Sequence, residues 1–217
     1  MNVEHTPEQT VGPYFSLGLM TEGDNVLVRQ DTEGQRIRVE GHVFDGDGDP
    51  LFNVLLEIWQ ANTHGRYNHP LDQRPLPLDP NFIGFGRAST DGKGYYWFET
   101  IKPGRVPHEG DIMQAPHIVV VVHASGVAHP LITRMYFAGD ESNWSDPILQ
   151  NVVPQGRRHT LIAVPREERD GMTVYRFDIV LRGQAEDLVL EGKLGEEAGE
   201  DAPSGAGKAE TVFFSLL

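Results

Sequence analysis

With 217 residues, 39% of them hydrophobic and 23% charged, the chain has the size and composition of one soluble globular domain, or of one domain with an appendage. A formal net charge of −14 repels phosphate backbones, so nucleic acid is excluded as an expected partner. Cysteine is absent, no apolar run approaches the ~20 residues of a membrane span, and residues 1–6 lack the basic start and apolar core of a signal peptide; a cytoplasmic protein with no disulfide and no membrane contact is expected.

The first thirty residues follow neither a helical nor a strand period, and Gly12-Pro13 interrupts both. Tyr14 and Phe15 are costly to leave in water, so this arm is expected to dock on something. Residues 37–43 alternate apolar and polar side chains and predict a half-buried strand. Asp45, Asp47 and Asp49 suggest a calcium loop, but Pro50 stands where that loop needs glycine and Leu56 where it needs glutamate. A hairpin turn is the expectation there, with 54–60 as the returning strand.

Residues 62–81 contain four prolines and no period, which reads as a long loop; loops of that length in compact domains are functional or disordered. Strands are predicted at 95–101, at 118–122 as a β-branched run buried on both faces, and at 131–137. Asp146-Pro147 reads as a helix cap followed by proline at the first helical position, and Pro154 limits the helix to a few residues. Further strands are predicted at 160–164 and 173–182. Eight acidic residues against two lysines between Ala185 and Glu210 read as a solvated acidic insert, and 211–214 as a last short apolar strand. Many short strands separated by turn signals predict an all-β fold, an antiparallel β-sandwich with long loops and one or two short helices. The expected divisions are an arm (1–30) docking on a partner chain, a sandwich (31–184), an acidic insert (185–209) and a final strand of the sandwich (210–217).

Glu57-Ile58-Trp59-Gln60-Ala61-Asn62, Gly65-Arg66-Tyr67, Thr90-Asp91, Lys102-Pro103-Gly104 and Pro116-His117-Ile118-Val119 together resemble the core of the intradiol ring-cleaving dioxygenases. The resemblance implies the same sandwich fold. It also implies cleavage of a small aromatic acid, protocatechuate, by O2 between its two hydroxyl-bearing carbons. Family members that act on this acid pair two related chains, and only the beta-type chain binds ferric iron, through two tyrosines and two histidines in a His-X-His triplet.

In this sequence Tyr67 matches the first tyrosine and His117 the first histidine, while Val106 and Val119 stand at the other two ligand positions. The arginine that precedes the triplet in the iron-binding chain has Gln114 in its place. One phenolate and one imidazole cannot replace four ligands. Tyr67 and His117 are therefore expected to be remnants, with no metal on this chain, no catalytic residue on this chain alone, and Fe(3+) held by a homologous beta subunit. The resemblance further implies that Thr10, Gly12, Pro13 and Tyr14 of the arm, and Arg134, line the substrate site in the complex. A guanidinium suits the carboxylate of protocatechuate. The alternatives are a self-sufficient intradiol dioxygenase with an altered metal site, and a non-catalytic β-sandwich binding module.

Overall fold

The computed structural model of the chain describes residues 10, 12, 15–181 and 209–214. In chain order the elements are α1 (Phe15–Leu19), β1 (Arg36–Phe44), β2 (Leu55–Trp59), β3 (Phe85–Ser89), β4 (Tyr95–Ile101), β5 (His117–His123), β6 (Leu131–Phe137), α2 (Pro147–Asn151), β7 (Ile162–Arg169), β8 (Met172–Arg176) and β9 (Ile179–Val180), with 3-10 turns at Glu141–Ser145 and Gln155–Leu161. The all-β class holds. Hydrogen bonding runs unbroken along β3-β2-β5-β6-β7-β8-β1-β4, with β9 beside β1, and makes a nearly closed, barrel-like sheet.

β7 joins the two halves of that path. Its start, Ile162 and Ala163, pairs with β6, and from Val164 onward it pairs with β8, with a register shift between Pro165 and Glu168. Proline has no amide hydrogen to give a ladder, so it sits at such an irregularity. The purely antiparallel expectation is corrected: β1·β8, β1·β9 and β6·β7 are parallel. β6 and β7 are joined through two 3-10 turns and α2, a connection long enough to bring the chain back in the same direction.

The inward faces of both halves form one core. Ile37, Val39 and Val43 of β1 meet Leu56 and Ile58 of β2, Phe98 of β4, Ile118, Val120 and Val122 of β5 and Met135 and Phe137 of β6. The turn after β1 closes as predicted, with Leu51 N donating to Val43 O at 2.8 Å, but β2 does not return along β1. It crosses to the other half and pairs with β3 and β5, because its alternate residues face the common core from there. α2 is capped by Asp146, whose carboxylate accepts from Leu149 N, with Pro147 opening the helix. The predicted 173–182 strand breaks at Phe177 and Asp178 into β8 and β9. Its end, Arg182, and the acidic insert up to residue 208 lie outside the described residues. The last segment forms one bridge, Ile132 with Phe214, with Thr211 buried beneath Val180. Among the described residues, no helix is long and apolar enough to cross a membrane.

Candidate functional site

β5 alternates its faces. Ile118, Val120 and Val122 point into the core, so His117 and Val119 point out of it. In the β2-β5-β6 registers, Trp59 lies opposite Val119 and Val119 opposite Arg134, while His117 lies opposite Tyr136. This gives a cross-strand row of Trp59, Val119 and Arg134 on the outer face of the sheet, with His117 and Tyr136 at its end. Two loops cover the row. The one after β2 contributes Tyr67, His69, Leu71 and Arg74, and the one after β4 contributes Val106, Pro107 and Gln114, enclosing a cleft of about 670 Å³.

The two covering loops meet backbone to backbone. A Cβ on Gly65, whose φ is 77°, would fall 2.0 Å from Arg105 O, and one on Gly104 would fall 2.5 Å from Gly65 N. Only glycine permits that approach, and it carries Tyr67 and Val106 into the same cleft. Asn62 ties the loops together further. Its carbonyl accepts from Gly104 N at 2.9 Å, and its side chain accepts from His64 N and Arg66 N. Below them, buried Gln60 donates to Ile101 O at 3.0 Å and accepts from Thr100 Oγ1 at 2.7 Å, joining the ends of β2 and β4. The 62–81 segment predicted as a loop is thus a loop held by its own backbone groups.

Three charged side chains line the cleft: Arg74, which pairs with Asp72, and Arg134. Arg134 Nη1 donates to Gln114 Oε1 at 2.6 Å, and Gln114 is itself fixed, donating Nε2 to Pro107 O at 3.0 Å. His117 is buried and its Nδ1 lies 2.8 Å from Ala115 O. A carbonyl only accepts, so the proton is on Nδ1 and Nε2 is left as an acceptor. Burial first, and the neighbouring Arg134 second, push the His117 pKa down to about 4. Burial raises the Tyr67 phenol, against the pull of Arg134 and Arg74. Tyr136 is raised well above the ordinary range by burial and by the Asp146 carboxylate, to which its hydroxyl donates at 3.1 Å. The Tyr67 ring stacks on Trp59, centroids 5.8 Å apart and 9° from parallel.

These residues do not fit a ferric ion. Tyr67 and His117 share the cleft, but Val106 and Val119 line it without a donor atom, and a guanidinium occupies the same space. A trivalent cation there would face a fixed positive charge and two missing ligands. Of the expected substrate residues, Arg134 lies in this cleft, whereas Thr10 does not. Thr10 Oγ1 accepts from Gly126 N at 2.7 Å, in the turn at the opposite end of the β5-β6 hairpin. Among the described residues, none comes within 4 Å of where a Cβ on Gly12 would be. Pro13 and Tyr14 lie outside the described residues. Sequence reasoning missed Trp59, Arg74 and Pro107 as lining residues. Trp59 had a visible signal, its place on the polar side of a period-two strand, but its neighbours depended on register.

The family profile described as Dioxygenase matches residues 10–183. The chain is 42% identical over 165 residues to the protocatechuate 3,4-dioxygenase beta chain of Burkholderia cepacia, covering 74% of this chain and 70% of that one. It is 37% identical over 198 residues to the protocatechuate 3,4-dioxygenase alpha chain of Pseudomonas putida, covering 86% of this chain and 96% of that one. Among solved structures, the dioxygenase domain of a dioxygenase carbohydrate-binding protein fusion from Streptomyces sp. SirexAA-E superimposes with a TM-score of 0.58 at 29% identity, over 83% of this chain and 99% of that one.

Proposed function

Because the chain belongs to the dioxygenase family of these intradiol ring-cleaving enzymes, we propose that it is the alpha-type subunit of a heteromeric protocatechuate 3,4-dioxygenase, with the iron on a homologous beta-type partner. Identity alone favours neither chain type: the beta relative is more identical over a shorter stretch, and the alpha relative is matched over more of both chains. The observation that carries the reading is the cleft. Val106 and Val119 occupy its wall where two metal donors are needed, and the Arg134 guanidinium lines the same cleft.

The reaction breaks the bond between the two hydroxyl-bearing carbons of protocatechuate and places both atoms of O2 in 3-carboxy-cis,cis-muconate. Ferric iron on the partner supplies activation of the bound catechol. This chain supplies shape. Thr10, Gly12, Pro13 and Tyr14 reach the partner's site as a stiff arm whose glycine allows close backbone approach. That none of the described residues crowds Gly12 supports that assignment. Arg134, which donates to Gln114 within this chain, is assigned to the substrate site of the complex, where a guanidinium suits the carboxylate of protocatechuate. The acidic segment 185–209 is assigned no part in the chemistry, and the assembly is assigned to the cytoplasm.

Co-expression with a homologous chain that carries the full Tyr/Tyr/His/His set tests this. Stable co-purification and ring cleavage only when both chains are present is the expected result. Cleavage by the lone chain would establish a self-sufficient dioxygenase instead. A lone, inactive chain that takes no such partner would establish a binding module.

A further inference from the structure

α1 spans five residues, Phe15–Leu19, too few to hold themselves as a helix in water. It is held at both ends by side chains of the outer sheet face. The Phe15 ring meets the His123 ring, centroids 5.2 Å apart, and Leu19 O accepts from Arg87 Nη1 at 3.4 Å. Before the helix, Thr10 Oγ1 accepts from Gly126 N at 2.7 Å, and Phe15 N donates to Gly12 O at 3.1 Å. The arm is thus pinned at three points, by the turn after β5, by β5 and by β3, and Gly12 lies between the first two.

One carboxylate stands behind two of those points. Glu57 of β2 lies opposite Arg87 in the β2-β3 register and diagonal to His123 across the β2-β5 pair. Its Oε1 accepts from Arg87 Nε at 2.7 Å, and its Oε2 lies 3.2 Å from His123 Nε2. An ionised carboxylate only accepts, so the His123 proton is on Nε2. Burial pushes the Glu57 carboxyl up, but its bonds with Arg87 and His123 outweigh that and hold it below the ordinary carboxylate range. The side chains of His123, Glu57 and Arg87 are only 14%, 20% and 30% exposed, so the row is packed rather than free in solvent.

We propose that Glu57, His123 and Arg87 are positioning residues for ring cleavage: they fix α1 on this chain's own sheet and thereby set where Gly12 stands in the partner's site. The inference rests on the proposed reach of the arm into that site. A cross-strand ion pair serving the sheet alone would end with Glu57 and Arg87. Here the second carboxylate oxygen goes to a histidine whose ring holds the arm, and a further donor of the arginine goes to the arm's backbone. Removing the Glu57 carboxylate therefore loosens both ends of α1 without touching a residue that lines the cleft.

Hydrogen exchange and steady-state kinetics of the assembled two-chain complex test this with Glu57→Ala. The expected result is amide exchange about tenfold faster in residues 15–20, unchanged exchange in β6 and β8, and kcat/KM for protocatechuate about tenfold lower at unaltered iron content. Residues 15–20 as protected as in the parent complex overturn the proposal. So does faster exchange there with kcat/KM unchanged. Should Glu57→Ala fail to assemble, His123→Ala, which removes the ring against Phe15 and spares the Glu57–Arg87 pair, must give the same two changes, and the proposal falls if it does not. Gly12→Ala in the same assay separates this from failure of the underlying reading. Unchanged turnover in Gly12→Ala places the arm outside the partner's site and overturns both. Lower turnover in Gly12→Ala with none in Glu57→Ala overturns the anchor alone.

Discussion

Arg134 Nη1 donates to Gln114 Oε1 at 2.6 Å across the cleft, a contact between residues that lie on β6 and on the loop before β5. The amide cannot turn over, because its Nε2 is held by Pro107 O. A cation is thereby fixed on the outer sheet face by a neutral acceptor of defined orientation. Gln114→Leu removes that acceptor and leaves a half-buried guanidinium short of a partner. The expected cost is about 1–3 kcal/mol, seen as a lower unfolding midpoint. An unchanged midpoint would mean that Arg134 finds water or another partner at no cost.

Gly65→Ala tests the joint between the covering loops. The added methyl would lie 2.0 Å from Arg105 O, on a residue with φ of 77°. Both sterics and backbone conformation oppose it, and the neighbour is main chain rather than a pliable side chain. A destabilisation of roughly 2–4 kcal/mol is expected. Loss of under 0.5 kcal/mol would show that the loops separate freely.

How much of this could be read from the residues alone differs by element. β4, β5 and β6 announce themselves through alternation or β-branched runs, and their predicted bounds agree with the structure to within a residue. β3 reads Phe85-Gly86-Arg87-Ala88-Ser89, which has no strand composition and was not anticipated. It exists because a bare Gly86 lets Leu27 and Asp24 of the arm pack against it, a tertiary reason with no local trace. The same segment docks on its own chain, Leu27 N donating to Glu99 O at 2.8 Å. Tyr67, Val106, His117 and Val119 were recognisable as one constellation through their surrounding motifs. The Arg134–Gln114 contact was not, because it needs the β5-β6 register, which a sequence does not contain.

His117 makes stability depend on pH. It is held neutral by burial and by Arg134, with its folded pKa lowered to about 4 against about 6.5 when unfolded. As pH falls below 6.5 the unfolded chain takes up a proton that the folded chain refuses. Stability is therefore fully present above pH 6.5 and is lost progressively down to pH 4, by up to roughly 3 kcal/mol. Urea midpoints at pH 7, 5.5 and 4 measure this, and His117→Gln should flatten the slope in that window. An unaltered slope in the variant would assign the acid sensitivity to other groups.

Gly12→Ala separates folding from assembly. None of the described residues lies within 4 Å of the added methyl, so the stability of the chain itself should not change. In the complex the methyl intrudes where the arm approaches the partner's site, and kcat/KM for protocatechuate should fall about tenfold, equivalent to ~1.4 kcal/mol. Unchanged turnover would remove the arm's glycine from the site.

The central claim is that this chain carries no iron and its partner carries one. Metal analysis of the purified two-chain complex, with the chain ratio fixed by quantitative amino-acid analysis, tests it most directly. The donor set of Tyr67 and His117, with Val106 and Val119 beside them, predicts one iron per chain pair and no change in iron when Tyr67 is replaced by phenylalanine. Two irons per pair, or loss of iron in proportion to this chain in Tyr67→Phe, would contradict it.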